Sequence, residues 1–136
     1  MISKELMSEE LMSEVLNLNI TYIERCNNSI IYKISVYDRE EEVNIYELAY
    51  KCKEWAFYAY KISVSSFKSG SFYLKEFNQI KDNSEYWVEL DTASIDCEIN
   101  IDDSGIFKSC SEPEAIFKAC QWILDNKQKR GNYENN

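Results

Sequence analysis

The chain has 136 residues, 45% hydrophobic and 14% aromatic, with three Gly and one Pro, which suits a single domain of regular elements and excludes a disordered chain. Histidine is absent, which excludes His-based triads, His general bases and ordinary His metal sites. The net charge of −9 disfavours direct binding to nucleic-acid phosphate, which needs cationic side chains, and no apolar run reaches the ~18 residues of a membrane span.

Residues 2–16, ISKELMSEELMSEVL, are rich in helix formers and carry a short repeat, LMSEE then LMSEV; a helix is predicted over about 3–16. NLNITYIERC and SIIYKISVYD then read as a β-hairpin turning at Asn27–Asn28. In its second strand Ile30, Tyr32, Ile34 and Val36 alternate with Lys33, Ser35 and Tyr37. DREEE, at 38–42, reads as a polar loop. Asn44 is placed to cap the next helix, with Glu47 as its capping-box partner. Ile45, Leu48, Ala49, Cys52, Trp55, Ala56 and Ala59 follow at helical spacing and define its core face.

KISVSSF and SFYLKEF are read as a second hairpin turning near Lys68–Gly70, and EYWVELD and SIDCEINI as a further strand pair. In the last segment Ile95, Cys97, Ile99 and Ile101 alternate with Asp96, Glu98 and Asn100. DDSG is a turn. Ser111 caps the last helix, with Glu114 as partner and Pro113 in the first turn, where a missing N–H costs nothing. The predicted fold is α+β: an antiparallel sheet of about five or six strands packed on two or three amphipathic helices. It forms one domain over 1–130 with a frayed tail over 131–136. An offset of 67 places Asn44 on Ser111, Glu47 on Glu114, Tyr50 on Phe117, Lys51 on Lys118 and Trp55 on Trp122, as two ββα units would.

Five cysteines stand at 26, 52, 97, 110 and 120, without a C-x-x-C pair. Met1 leads into ISKELMSEEL without a signal-peptide pattern, so free thiols in a reducing cytoplasm are expected. Cys52 and Cys120 fall mid-helix and read as core. Cys110 precedes a helix cap, where the dipole favours a thiolate, but no base accompanies it. The aromatics Tyr46, Tyr50, Phe57, Tyr58 and Tyr60 surround the second helix on more than its core face, so some are expected at the surface, where Tyr often anchors interfaces.

The most informative stretch is acidic. From Asp82 to Phe107 there is no Lys or Arg, while the same residues hold Asp82, Glu85, Glu89, Asp91, Asp96, Glu98, Asp102 and Asp103. Its carboxylates alternate along a predicted strand rather than following an EF-hand loop, so a solvated or docking face is favoured over a Ca²⁺ or Mg²⁺ site. Glu85, Glu89, Asp91, Asp96, Glu98, Asp102 and Asp103 are the predicted partner-binding residues, and a basic protein surface is their natural complement. No metal, cofactor or catalytic residue is predicted.

ISKEL with SEVL, NIYELAYKCKEWA and SEPEAIFKACQWIL together resemble small proteins encoded by phages, prophages and other mobile elements of bacteria. The resemblance implies an accessory gene in a bacterial cytoplasm, a setting in which many genes inhibit host defence, anti-CRISPR proteins among them. The expected function is a non-enzymatic inhibitor that occupies a basic surface of a host protein such as a CRISPR or other defence nuclease. The alternatives are a small-molecule or nucleotide-signal binder using Arg25, Arg39, Lys51 or Lys118, an enzyme working with carboxylates alone, and a structural or homo-oligomerisation module.

Overall fold

A computed structural model of the chain describes residues 7–25, 30–68, 72–74, 79–81, 85–95, 97, 99–102 and 104–134. Among these residues three helices and eight strands follow one another: α1 (Glu9–Leu16), β1 (Ile20–Arg25), β2 (Ile31–Val36), β3 (Arg39–Asn44), α2 (Ile45–Tyr60), β4 (Ile62–Lys68), β5 (Phe72–Leu74), β6 (Gln79–Lys81), β7 (Tyr86–Thr92), β8 (Ile106–Ser109) and α3 (Glu112–Glu134). This is an α+β fold, as predicted. The strands divide between two antiparallel three-stranded sheets, β1-β2-β3 and β4-β7-β8, with β5 and β6 forming a short ribbon of their own.

The predicted helix caps form. Asn44 Oδ1 accepts hydrogen bonds from the Tyr46 and Glu47 amides, and Ser111 Oγ accepts one from Glu114. Ser8 caps α1 by accepting from the Leu11 amide, and its own hydroxyl donates to Gln121 Oε1 of α3. The predicted core face of α2 is buried at Ile45, Leu48, Ala49, Cys52, Trp55 and Ala56, while Ala59 is exposed. Small side chains let α2 and α3 approach, and Cys120 Sγ lies 3.7 Å from the Cys52 carbonyl oxygen. Both cysteines are fully buried, as read from their mid-helix positions, and burial pushes the Cys52 thiol well above its ordinary range.

Three strand readings are corrected. DREEE is not a loop: Arg39–Asn44 pairs along the whole of β2, from Val36↔Arg39 to Ile31↔Asn44, across a turn at Tyr37–Asp38. As an edge strand β3 needs no apolar outer face, and charged side chains are how such edges resist pairing with other chains. KISVSSF does not pair with SFYLKEF. Instead β4 pairs with β7 from Ile62↔Thr92 to Lys68↔Tyr86, and β5 turns back onto β6 with Phe72↔Lys81. SIDCEINI is not a strand at its described residues. The third strand of this sheet is Ile106–Ser109, which pairs with Tyr86–Glu89, and the described residues between β7 and β8 form neither helix nor strand. Their alternation reflects anchorage: Ile99 is buried, and Cys97 Sγ donates towards the Tyr60 and Ile99 carbonyls.

The corrected topology makes the two halves alike. Each is a three-stranded antiparallel meander whose third strand runs directly into a helix: β1-β2-β3-α2 and β4-β7-β8-α3. The offset of 67 aligns β3 with β8 and α2 with α3. The earlier strands break it because residues 93–105 separate β7 from β8. Each unit is therefore βββα rather than ββα. The tail at 131–134 continues α3. One continuous core joins both sheets and all three helices, from Leu11 and Met12 through Tyr32 and Ile34 to Phe117 and Leu124.

Candidate functional site

Alternation along β7 sorts its side chains. Val88 is buried and Leu90 partly buried against α3, while Glu89 and Asp91 are exposed on the opposite face. The register places Ser63 beside Asp91, Ser65 beside Glu89 and Phe67 beside Trp87 on that outer face, with Ile106 and Lys108 of β8 opposite Glu89 and Trp87. The outer face of β4-β7-β8 is thus polarised. One end carries two carboxylates over small serines. The other carries Phe67 and Trp87, whose rings stack with centroids 5.2 Å apart and planes 22° apart.

This aromatic pair is partly open: Phe67 is 43% exposed and Trp87 half-buried, and Ile106, beside Glu89 on the far strand of the same face, is 54% exposed. Glu89 makes no ion pair among the described residues, and Asp91 accepts a hydrogen bond from the Thr92 amide alone. Among the described residues neither carboxylate is held in an ion pair, so both can meet a cation from outside the domain. Sequence reasoning found Glu89 and Asp91 but missed Phe67 and Trp87. The sequence signal was present, since Trp87, Glu89 and Asp91 share one parity and Val88 and Leu90 the other.

The other predicted partner-binding residues are not all gathered here. Glu85 is half-buried just before β7, and Asp102 is exposed in the turn after the 93–101 segment, where its amide donates to Asn100 Oδ1. Asp96, Glu98 and Asp103 lie outside the described residues. Exposed aromatics do surround α2, as expected: Tyr46, Tyr50, Phe57 and Tyr58 reach solvent, and Tyr60 is half-buried.

Of the cations considered for ligand binding, Arg39 and Lys118 are engaged, and the Arg25 side chain lies outside the described ones. Arg39 Nε donates to Glu41 at 2.7 Å, which raises the already high guanidinium pKa. Lys118 Nζ donates to the Lys108 carbonyl. Lys51 lines an open groove of about 370 Å³ with Val15, Glu54, Trp55, Tyr58 and Ala59. No two of these cations meet in that groove. Among the described residues no three Cys, Asp or Glu side chains converge to hold a metal ion, and no helix is long and apolar enough to cross a membrane.

A separate polar cluster ties α1 to α2 and α3. Tyr60 OH donates to Glu14 Oε1 at 2.7 Å, and Lys127 Nζ reaches the same oxygen at 3.1 Å while lying 5.5 Å from the Tyr60 ring centroid. Burial alone would raise the Glu14 carboxyl. The bonds from Tyr60 and Lys127 outweigh it and hold the group below its ordinary range. Burial and the Glu14 bond raise the Tyr60 hydroxyl. This triad joins α1, α2 and α3 and uses its donors internally, so it is a staple. No known family model matches the chain, and no curated protein or solved structure resembles it significantly.

Proposed function

We propose that this chain is a non-catalytic protein-binding domain that docks on a basic surface of a partner through the outer face of β4-β7-β8. The observation that carries the reading is the juxtaposition on one sheet face of the exposed carboxylates Glu89 and Asp91 with the partly exposed Phe67–Trp87 stack. Aromatic anchors supply contact energy when a partner buries them. Unpaired carboxylates supply attraction and rapid association, with a steep dependence on salt. The overall charge of −9 favours a basic partner over a neutral one and works against nucleic acid. With the phage-like resemblance of the sequence, the particular case is an anti-defence protein of the anti-CRISPR kind, covering the basic nucleic-acid groove of a bacterial defence nuclease.

The test uses the wild-type protein and a Glu89→Lys/Asp91→Lys variant as parallel baits in bacterial lysate at low salt. Both changes are on an exposed face, so the variant should fold. The reading predicts a basic protein held by the wild type, released at moderate salt and absent from the reversed bait. Equal capture by both baits contradicts it.

A further inference from the structure

The two three-stranded sheets have four edge strands, and three of the four are defended. Strand β1 carries a register shift between Ile20 and Tyr22, a bulge that twists an edge away from a would-be partner. Strand β3 carries Arg39, Glu40, Glu41 and Glu42 in succession. Strand β8 has only four residues. Strand β4 has none of these devices. Its seven residues, ISVSSFK, pair with β7 in unbroken register and hold no charge before Lys68. Among the described residues, the hydrogen bond that β4 makes away from β7 comes from Lys53 Nζ to Ser66 Oγ, which leaves the backbone of that edge unpaired. Long, regular, uncharged edges are templates for strand addition.

We infer that β4 receives an extended, arginine- or lysine-bearing segment of the partner as a fourth strand of the β4-β7-β8 sheet. The inference rests on the proposed function and adds its mode of recognition. The charge of the face selects the occupant. An added strand places alternate side chains beside Ser63 and Ser65, whose small side chains leave a shallow trough across β4. A long cationic side chain laid over that trough reaches towards Asp91 and Glu89, which stand opposite the two serines on β7. The next position of the same parity falls beside Phe67, where an apolar or aromatic side chain meets the Phe67–Trp87 stack. A second copy of this chain is the wrong occupant, because the same edge-to-edge approach brings together two faces of like charge on molecules of −9 each.

The probe is a synthetic peptide of alternating arginine and threonine, matched in length to β4 and blocked at both ends. Two further versions are N-methylated, one on the arginine amides and one on the threonine amides. Only one of these sets faces β4 in an added strand. The inference predicts that the parent peptide binds at low salt and slows amide exchange within Ile62–Phe67. One methylated version should bind about tenfold or more weakly, having lost its ladder hydrogen bonds and gained a clash, while the other binds like the parent. Equal binding by all three, abolished by Glu89→Lys/Asp91→Lys, would overturn strand addition and leave the acidic docking face standing. No binding by any peptide, or a concentration-dependent dimer that protects the same amides without peptide, would overturn the inference. Whether the proposed function falls with it is read separately, from the parallel baits.

Discussion

The two βββα halves differ in what they leave exposed. In the first, β2 and β3 join across the turn at Tyr37–Asp38, the bulge in β1 and the charges of β3 close both edges, and Lys33 lies between Glu24 and Glu42 in the ladder. Arg39 binds Glu41 along the same strand, while Glu40 lies opposite Ser35. In the second, the connection between β4 and β7 extends into the β5-β6 ribbon, residues 93–105 separate β7 from β8, and Glu89 and Asp91 face solvent beside serines rather than cations. The same topology serves once as scaffold and once as presentation surface. Acidity alone does not distinguish them; the cations beside Glu24, Glu41 and Glu42, and the aromatic stack beside Glu89, do.

The comparison can be broken most severely through the core. Ile34→Ala in the first sheet and Phe117→Ala beneath the second each remove a fully buried side chain, and each should cost about 2–5 kcal/mol. Because one core joins the halves, urea unfolding should show a single transition shifted in both variants. Two transitions, one moved by each substitution, would mean that the halves fold independently. A smaller effect separates the surfaces. Glu89→Lys/Asp91→Lys should weaken binding of the arginine–threonine peptide by about tenfold or more at low salt, whereas Glu40→Lys/Glu42→Lys on β3 should change it little. Caps test the likeness of the halves: Asn44→Ala and Ser111→Ala should each cost about 1 kcal/mol, read by thermal or urea unfolding.

The smallest expected effect depends on pH. Glu14 is held below its ordinary value of 4.5, so its contribution is present above the unfolded carboxylate range and is lost as pH falls through the lower folded value. Stability measured by urea at pH 7 and then at stepwise lower pH should fall more steeply for wild type than for Glu14→Gln. Parallel curves would show that the staple with Tyr60 and Lys127 does not contribute.

Much of this was legible in the chain, and the failures share a cause. The α2 and α3 helices announce themselves through local signals: Asn44 and Ser111 as caps, and apolar residues at helical spacing from Ile45 to Ala56. Strands depend on partners that local signals do not name. Residues 39–42 looked like a loop because an edge strand can be charged throughout. Residues 94–101 looked like a strand because Cys97 and Ile99 alternate inward to anchor the segment. The pairing of β4 with β7 skips the ribbon between them, so the Phe67–Trp87 stack is set by a register that spacing does not reveal. Glu89 and Asp91 were visible as charge; that they share a face with aromatics emerged only from the pairing.

The most direct test of the central claim is titration calorimetry of the arginine–threonine peptide against the two charge-reversed proteins at low salt, each shown to be folded by circular dichroism. If the second half is the presentation surface, Glu89→Lys/Asp91→Lys abolishes the heat of binding and Glu40→Lys/Glu42→Lys retains it. Equal losses in both variants would show that net charge, rather than the face of β4-β7-β8, governs recognition, and would contradict the account.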